Sequence, residues 1–245
     1  MTFDPAALFA AGEPGAWYDP CDSATLWQDT AGTVPVSAAG QAVALIQDKS
    51  GNGSHLSQAT TARMPTYQLD SSGRPYLLFD GIDDVLNASL AITIPFERLS
   101  AIRQLSWSLN ERIFAGSVSS EPRLYQTGAP PSIGIYAGST SVQNAGLAIG
   151  ANGIVTERFI AGASKLAVNR KGYSSGNAGS NGLTALRVGA SSAAGGAAAH
   201  FRLYGSIVRA GLLSDEDIAQ ARDWLADKAG VTFLSRRAAR HSGWL

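Results

Sequence analysis

The chain has 245 residues, a formal net charge of zero, only 16% charged residues, 27 glycines and one cysteine. That length lets a sheet sandwich bury its own core as a single domain, and a glycine-rich, charge-poor composition favours a turn-rich β protein over a helical bundle. With no basic field to neutralise phosphates or hold anionic lipid, nucleic acid and membrane are not expected partners, and the lone Cys21 excludes an internal disulfide.

Residues 1–16 read as an N-terminal arm. Met1 to Ala11 lacks a basic lead and is interrupted by Asp4 and Pro5, so it does not read as a signal peptide, and no apolar run reaches the roughly 20 residues of a spanning helix. From Trp17 to Thr66 short apolar runs alternate with turns such as Asp29-Thr30-Ala31-Gly32 and Asp48-Lys49-Ser50-Gly51-Asn52-Gly53, where Gly and Asn tolerate positive φ. Val43–Gln47 and Tyr76–Asp80 read as short strands. Alternation then places a strand over Ile102–Leu109, and Arg112–Gly116, Ile133–Tyr136, Val155–Ala161 and Lys165–Asn169 follow, each bounded by turn residues. Ser174–Gly182 and Ala190–Ala199 are Ser-, Gly- and Ala-rich loops at a sheet edge, separated by strand-like Leu183–Gly189, and Phe201–Val208 is the last strand.

One helix is predicted over 214–229. Ser214 caps it, Asp217 completes a capping box, Ile218, Ala221, Trp224, Leu225 and Lys228 follow at helical spacing, and Gly230 closes it. The tail, residues 232–245, combines Phe233, Arg236, Arg237, Arg240 and Trp244, the residue types that anchor small interfaces, and reads as a segment that docks on a neighbouring subunit.

Three stretches resemble the concanavalin A-like, laminin G-like jelly rolls found in phage and prophage structural proteins. They are Leu45 to Tyr67 with its Asp48–Gly53 turn, Leu78-Phe79-Asp80-Gly81-Ile82-Asp83-Asp84-Val85-Leu86, and Phe201-Arg202-Leu203-Tyr204-Gly205 leading into Leu213–Ile218. The resemblance implies an all-β sandwich of two antiparallel sheets, spanning residues 17–231, with one C-terminal α-helix. It further implies a fibre or spike component on the surface of a virion or phage-like particle, homo-oligomeric, associated with other virion structural proteins and binding a host surface polysaccharide. Alternatives are a divergent glycan hydrolase on the same fold and an architectural piece with no ligand.

Asp80, Asp83 and Asp84 crowd around Gly81, as a hard cation such as Ca²⁺ would require, although a turn in which Asp80 and Asp83 accept backbone N–H groups explains them as well. No other cofactor is expected. His55, His200 and His241 lack the spacing of a zinc site. No glutamate begins the Glu-x-Asp-x-x-Glu pattern that related hydrolases carry on one strand, and no Gly-x-Ser-x-Gly elbow occurs, so the chain is expected not to be an enzyme. Among the aromatics, Trp107 and Trp224 lean inward. Tyr125, Tyr136 and Tyr173, near loop ends, are the candidates for an exposed glycan-binding rim. Cys21 reads as an inert, half-buried thiol, since nothing nearby would lower its pKa.

Overall fold

A computed structural model describes residues 3–233. They form an all-β jelly-roll sandwich of two antiparallel sheets with a single α-helix near the C-terminus. The first sheet runs, edge to edge, Ser174–Gly176, Ser164–Val168, Asn152–Phe159, Phe96–Gln104, His200–Ala210, Pro75–Asp80 and Thr66–Leu69, with Gly15–Tyr18 added alongside His200–Ala210. The second runs Val142–Asn144, Ile133–Tyr136, Arg123–Gln126, Arg112–Ala115, Leu186–Val188, Leu86–Ala88, Leu56–Ser57, Leu45–Ile46 and Leu26–Trp27. Period-two alternation sends Leu124, Phe114, Ile133 and Ile135 of the second sheet inward to meet Phe79, Phe96, Ile102 and Phe201 of the first. Phe79 stacks on Phe201 and Phe96 on Phe159, with ring centroids 4.7 and 4.6 Å apart.

The helix Asp215–Ala229 begins as the sequence predicts. The Ser214 hydroxyl accepts from the Asp217 N–H, three acids occupy the first turn, and Gly230 takes the left-handed conformation that ends it. Its apolar stripe, Ile218, Ala221, Leu225 and Ala226, packs on Leu99, Ala101, Ile154 and Ile207, which project from the outer face of the first sheet. That sheet is therefore covered on both faces, while the second sheet leaves its outer face uncovered by any helix of the described residues.

Several boundaries shift by one to three residues, Ser174–Gly176 pairs as an edge strand where a loop is expected because Ser164–Leu166 supplies its ladder partners, and two regions differ more. The strand expected at Ile102–Leu109 is Phe96–Gln104 instead: helix on one side and sandwich core on the other bury nearly every residue of it, so it lacks the alternation that marks a half-exposed strand. The expected N-terminal arm joins the body. Asp4 caps a short 3-10 turn at Pro5–Phe9 that buries Leu8 and Phe9, and Gly15–Tyr18 enters the first sheet. In the tail, Phe233 packs against the helix side with the Arg170 guanidinium 4.6 Å from its ring centroid. Arg236, Arg237, Arg240 and Trp244 lie outside the described residues.

Candidate functional site

On the uncovered face of the second sheet, three adjacent strands set four side chains in a row. Arg123 stands directly opposite Tyr136, and Tyr125 opposite Arg112, with a register shift between Leu124 and Tyr125 that turns the latter pair toward the first. The Arg112 and Arg123 guanidiniums each lie 4.8 Å from the Tyr125 ring centroid, and Arg123 lies 3.9 Å from that of Tyr136. Gly134 is the partner of Tyr125 across the strands. A Cβ there would come within 2.5 Å of the Ser141 hydroxyl and 2.6 Å of the Thr127 methyl, so a larger residue would displace both side chains.

Beside this row a cavity of about 190 Å³ is lined by Arg112, Arg123, Glu121, Gly116, Ser119 and Ser191. Glu121 reaches it because Gly116 has no side chain: a Cβ there would meet the Glu121 carboxylate at 2.2 Å. The Glu121 carboxylate accepts from the Ser117 N–H at 2.6 Å and from the Thr184 hydroxyl at 2.6 Å. Burial by itself would raise its pKa, but these hydrogen bonds outweigh burial and hold it below the ordinary value, so it stays ionised. Arg112 is pushed down to about 10 by burial first and by the neighbouring Arg123 charge second. Burial raises the Tyr125 phenol, yet the hydroxyls of Ser141 and Thr127 and the Arg123 charge bring it below its ordinary value. Arg187 ties the rim together, donating to the carbonyls of Gly116, Ser117 and Ser191 at 3.1, 2.7 and 3.1 Å.

Of the three tyrosines singled out by sequence, the structure brings two together. Tyr136 is half-buried and Tyr125 is only 6% exposed, so Tyr125 supports the row from beneath rather than standing on a rim. Tyr173 lies on the opposite side of the molecule, where its hydroxyl accepts from Arg222 of the helix at 2.9 Å. Arg112, Arg123 and Glu121 were not singled out. The available signal was cation and aromatic two residues apart in Arg123-Leu124-Tyr125, which places both on one face of a strand.

The three aspartates also converge, each offering a carboxylate oxygen within 4.8 Å of the others. Asp80 accepts from the Ile82 N–H at 2.8 Å, and Asp84 from the Asp80 N–H at 2.9 Å, while the Arg63 Nε lies 3.8 Å from Asp83. Asp84 is buried, and burial raises it to about 6, with the charges of Asp80 and Asp83 adding to the rise. A cation placed here would be held by these three carboxylates but would share their oxygens with the turn that closes them. The Asp48 carboxylate staples its own turn, accepting from the N–H groups of Trp17, Ser50 and Ser54 at 2.9, 2.8 and 3.1 Å.

No protein-family model matches the chain, and no curated protein matches it. Solved structures do. An arabinofuranosidase complexed with arabinofuranosyl-α-1,2-xylobiose matches with a TM-score of 0.64 at 14% identity, over 94% of this chain and 65% of that one. A GH54 α-L-arabinofuranosidase soaked with a cyclic sulfate inhibitor matches with a TM-score of 0.63 at 14% identity, over 95% and 66%. A structure of botulinum neurotoxin type C, a toxin whose cell entry depends on interaction with two ganglioside molecules, matches with a TM-score of 0.53 at 15% identity, over 74% and 48%. The chain thus spans about two thirds of the length of the arabinofuranosidases it matches. The likeness establishes the sandwich, and arabinofuranosidases are among the structures that share it. It also corrects one expectation. The absence of a Glu-x-Asp-x-x-Glu strand pattern suggested a chain that is not an enzyme, yet glycosidases are among the structures that match it over nearly its whole length. Catalytic carboxyls are set by geometry and can come from separate loops, so the missing motif gives no ground for excluding catalysis.

Proposed function

We propose that this chain engages a glycan on the outer face of its second sheet, at the cavity lined by Glu121, Arg112 and Arg123, with Tyr136 against Arg123 as its neighbour. The observation that carries the reading is that arrangement itself: a half-exposed tyrosine, braced by guanidiniums, beside an ionised carboxylate and two serines. An aromatic face suits the apolar side of a sugar ring, and fixed donors and acceptors suit its hydroxyls. At about 190 Å³ the cavity is smaller than the roughly 300 Å³ at which drug-sized pockets begin, which fits one sugar unit rather than an oligosaccharide. The test is a glycan array probed with the whole chain and with Tyr136→Ala. Retention of one glycan class by the parent, lost in the variant at unchanged thermal midpoint, supports the reading. Retention that survives Tyr136→Ala contradicts the placement.

A second reading, that the bound glycan is also cleaved, is favoured by the glycosidases among the matched structures and by Glu121, a carboxylate kept ionised as a base or nucleophile must be. Release of reducing ends from an array-selected polysaccharide, abolished by Glu121→Gln with binding retained, is the expected outcome. Turnover equal to that of the parent in Glu121→Gln overturns the assignment. A place on a virion or phage-like particle rests on the sequence resemblance alone, and co-sedimentation of the chain with assembled particles tests it.

A further inference from the structure

The pocket holds more positive charge than it neutralises. Several guanidiniums of the described residues face carboxylates, Arg98 paired with Glu157, Arg158 with Glu97, and Arg209 with Glu13, whereas Arg103, Arg187, Arg202 and Arg222 do not. Arg112 and Arg123 are set apart because they line one cavity together. Neither lies within ion-pair distance of any carboxylate among the described residues, and both press against the same Tyr125 ring. Each spends one nitrogen on a backbone carbonyl, Arg123 on that of Ser119 at 2.6 Å and Arg112 on that of Asn110 at 2.5 Å, leaving the others for a ligand. Two half-buried like charges side by side on a cavity wall are costly unless an anion completes them.

We propose that the sugar taken by this pocket is acidic, of the uronic-acid type, with its carboxylate between the Arg112 and Arg123 guanidiniums. The inference rests on the glycan reading and deepens it. Guanidinium forks match a carboxylate in two parallel hydrogen bonds, a geometry a neutral hydroxyl does not supply. Glu121 then sets the charge of the ligand. With two guanidiniums and one ionised carboxylate lining the cavity, a singly charged group balances the site, whereas a dianionic phosphate would meet repulsion from Glu121. The Glu121 oxygens instead accept from the hydroxyls of the same sugar ring, and Tyr136 offers the ring a face.

The experiment is calorimetric titration of the whole chain with three oligosaccharides of matched length, one uronate, one neutral and one sulfated, each at low and at high salt. The uronate is expected to bind most tightly, with affinity falling several-fold as salt shortens the Debye length from about 10 Å toward about 3 Å. Arg112→Gln is expected to weaken it at least about tenfold, the loss of one charge-assisted fork. Arg123 braces two tyrosines, so Arg112→Lys serves as the second variant. It keeps the charge and loses the fork, and a several-fold loss at unchanged thermal midpoint is expected. Neutral and uronate ligands binding equally well, or binding insensitive to salt, overturns the acidic-sugar inference and leaves the glycan reading standing. Preference for the sulfated ligand overturns the carboxylate assignment. Failure of every saccharide on both the array and the calorimeter brings down both.

Discussion

The Arg98 guanidinium and the Glu157 carboxylate meet inside the sandwich as a two-pronged pair, with Nε to Oε1 at 2.8 Å and Nη2 to Oε2 at 2.5 Å, and both side chains fully buried. They stand opposite each other on neighbouring strands of the first sheet, and Arg98 also lies 4.3 Å from the Phe114 ring centroid of the second sheet. The pair therefore links strand register to sheet packing. One residue outward the pattern repeats in reverse, with Glu97 against Arg158 on the helix side, where Glu97 also accepts from the Leu213 N–H at 3.2 Å.

Removing one partner of such a pair leaves an uncompensated charge in the core. Glu157→Leu alone is expected to lower unfolding free energy by about 3–5 kcal/mol, whereas the double variant Arg98→Met with Glu157→Leu returns most of that stability. Urea unfolding of the two variants checks it. Equal losses in single and double variants would mean that the pair does not act as a unit.

The helix should respond as a packed element. Leu225 is fully buried against the first sheet, and Leu225→Ala is expected to cost about 2–5 kcal/mol by the methylenes removed and the cavity left. Ser214→Ala, which removes only the cap, is expected to cost about 1 kcal/mol. Chemical denaturation of both variants sets the order.

Asp84 gives the molecule a pH signature. Its carboxyl is raised from an ordinary 3.8 to about 6, chiefly by burial, so between those values the folded chain holds a proton that the unfolded chain has lost. Its contribution is complete below the lower value and disappears as pH rises through the upper one. Asp84→Asn keeps an acceptor for the Asp80 N–H and carries no charge. Its thermal midpoint, relative to the parent, is expected to improve between about pH 4 and about pH 7. A constant difference across that range contradicts the assignment, and added Ca²⁺ that stabilises the parent but not the variant would show a cation using the same oxygens.

Cys21 should be inert. Its thiol is pushed up to about 11, mainly by burial and by the Asp19 carboxylate, against the opposing charge of Lys228. At about pH 8 alkylation is expected to run about a hundredfold slower than for a free thiol, and to recover fully in denaturant. Rapid modification of the folded chain would contradict this.

Much of the scaffold was legible because local chemistry and tertiary role agree. The capping residues Ser214 and Asp217 and the closing Gly230 mark a helix whose stripe is also its packing face, and Ile133 and Ile135 of Ile133–Tyr136 sit two apart because both face the core. Phe96–Ser100 was illegible for the opposite reason. Covered on both faces, it carries Glu97 and Arg98 where a surface would be read, and their partners lie on a strand some sixty positions away. The site was half legible. Tyr125 and Tyr136 stand out as aromatics near turns, but the row with Arg112 and Arg123 exists only once three strands pair in register and one of them bulges.

The most direct test is to label the backbone amides with nitrogen-15 and follow their shifts while an array-selected glycan is added. The expected changes are concentrated in Arg112–Gly116, Ser119–Gln126 and Ile133–Tyr136, with the helix and Tyr173 silent. Changes confined to the helix side or to the Asp80–Asp84 turn would contradict it.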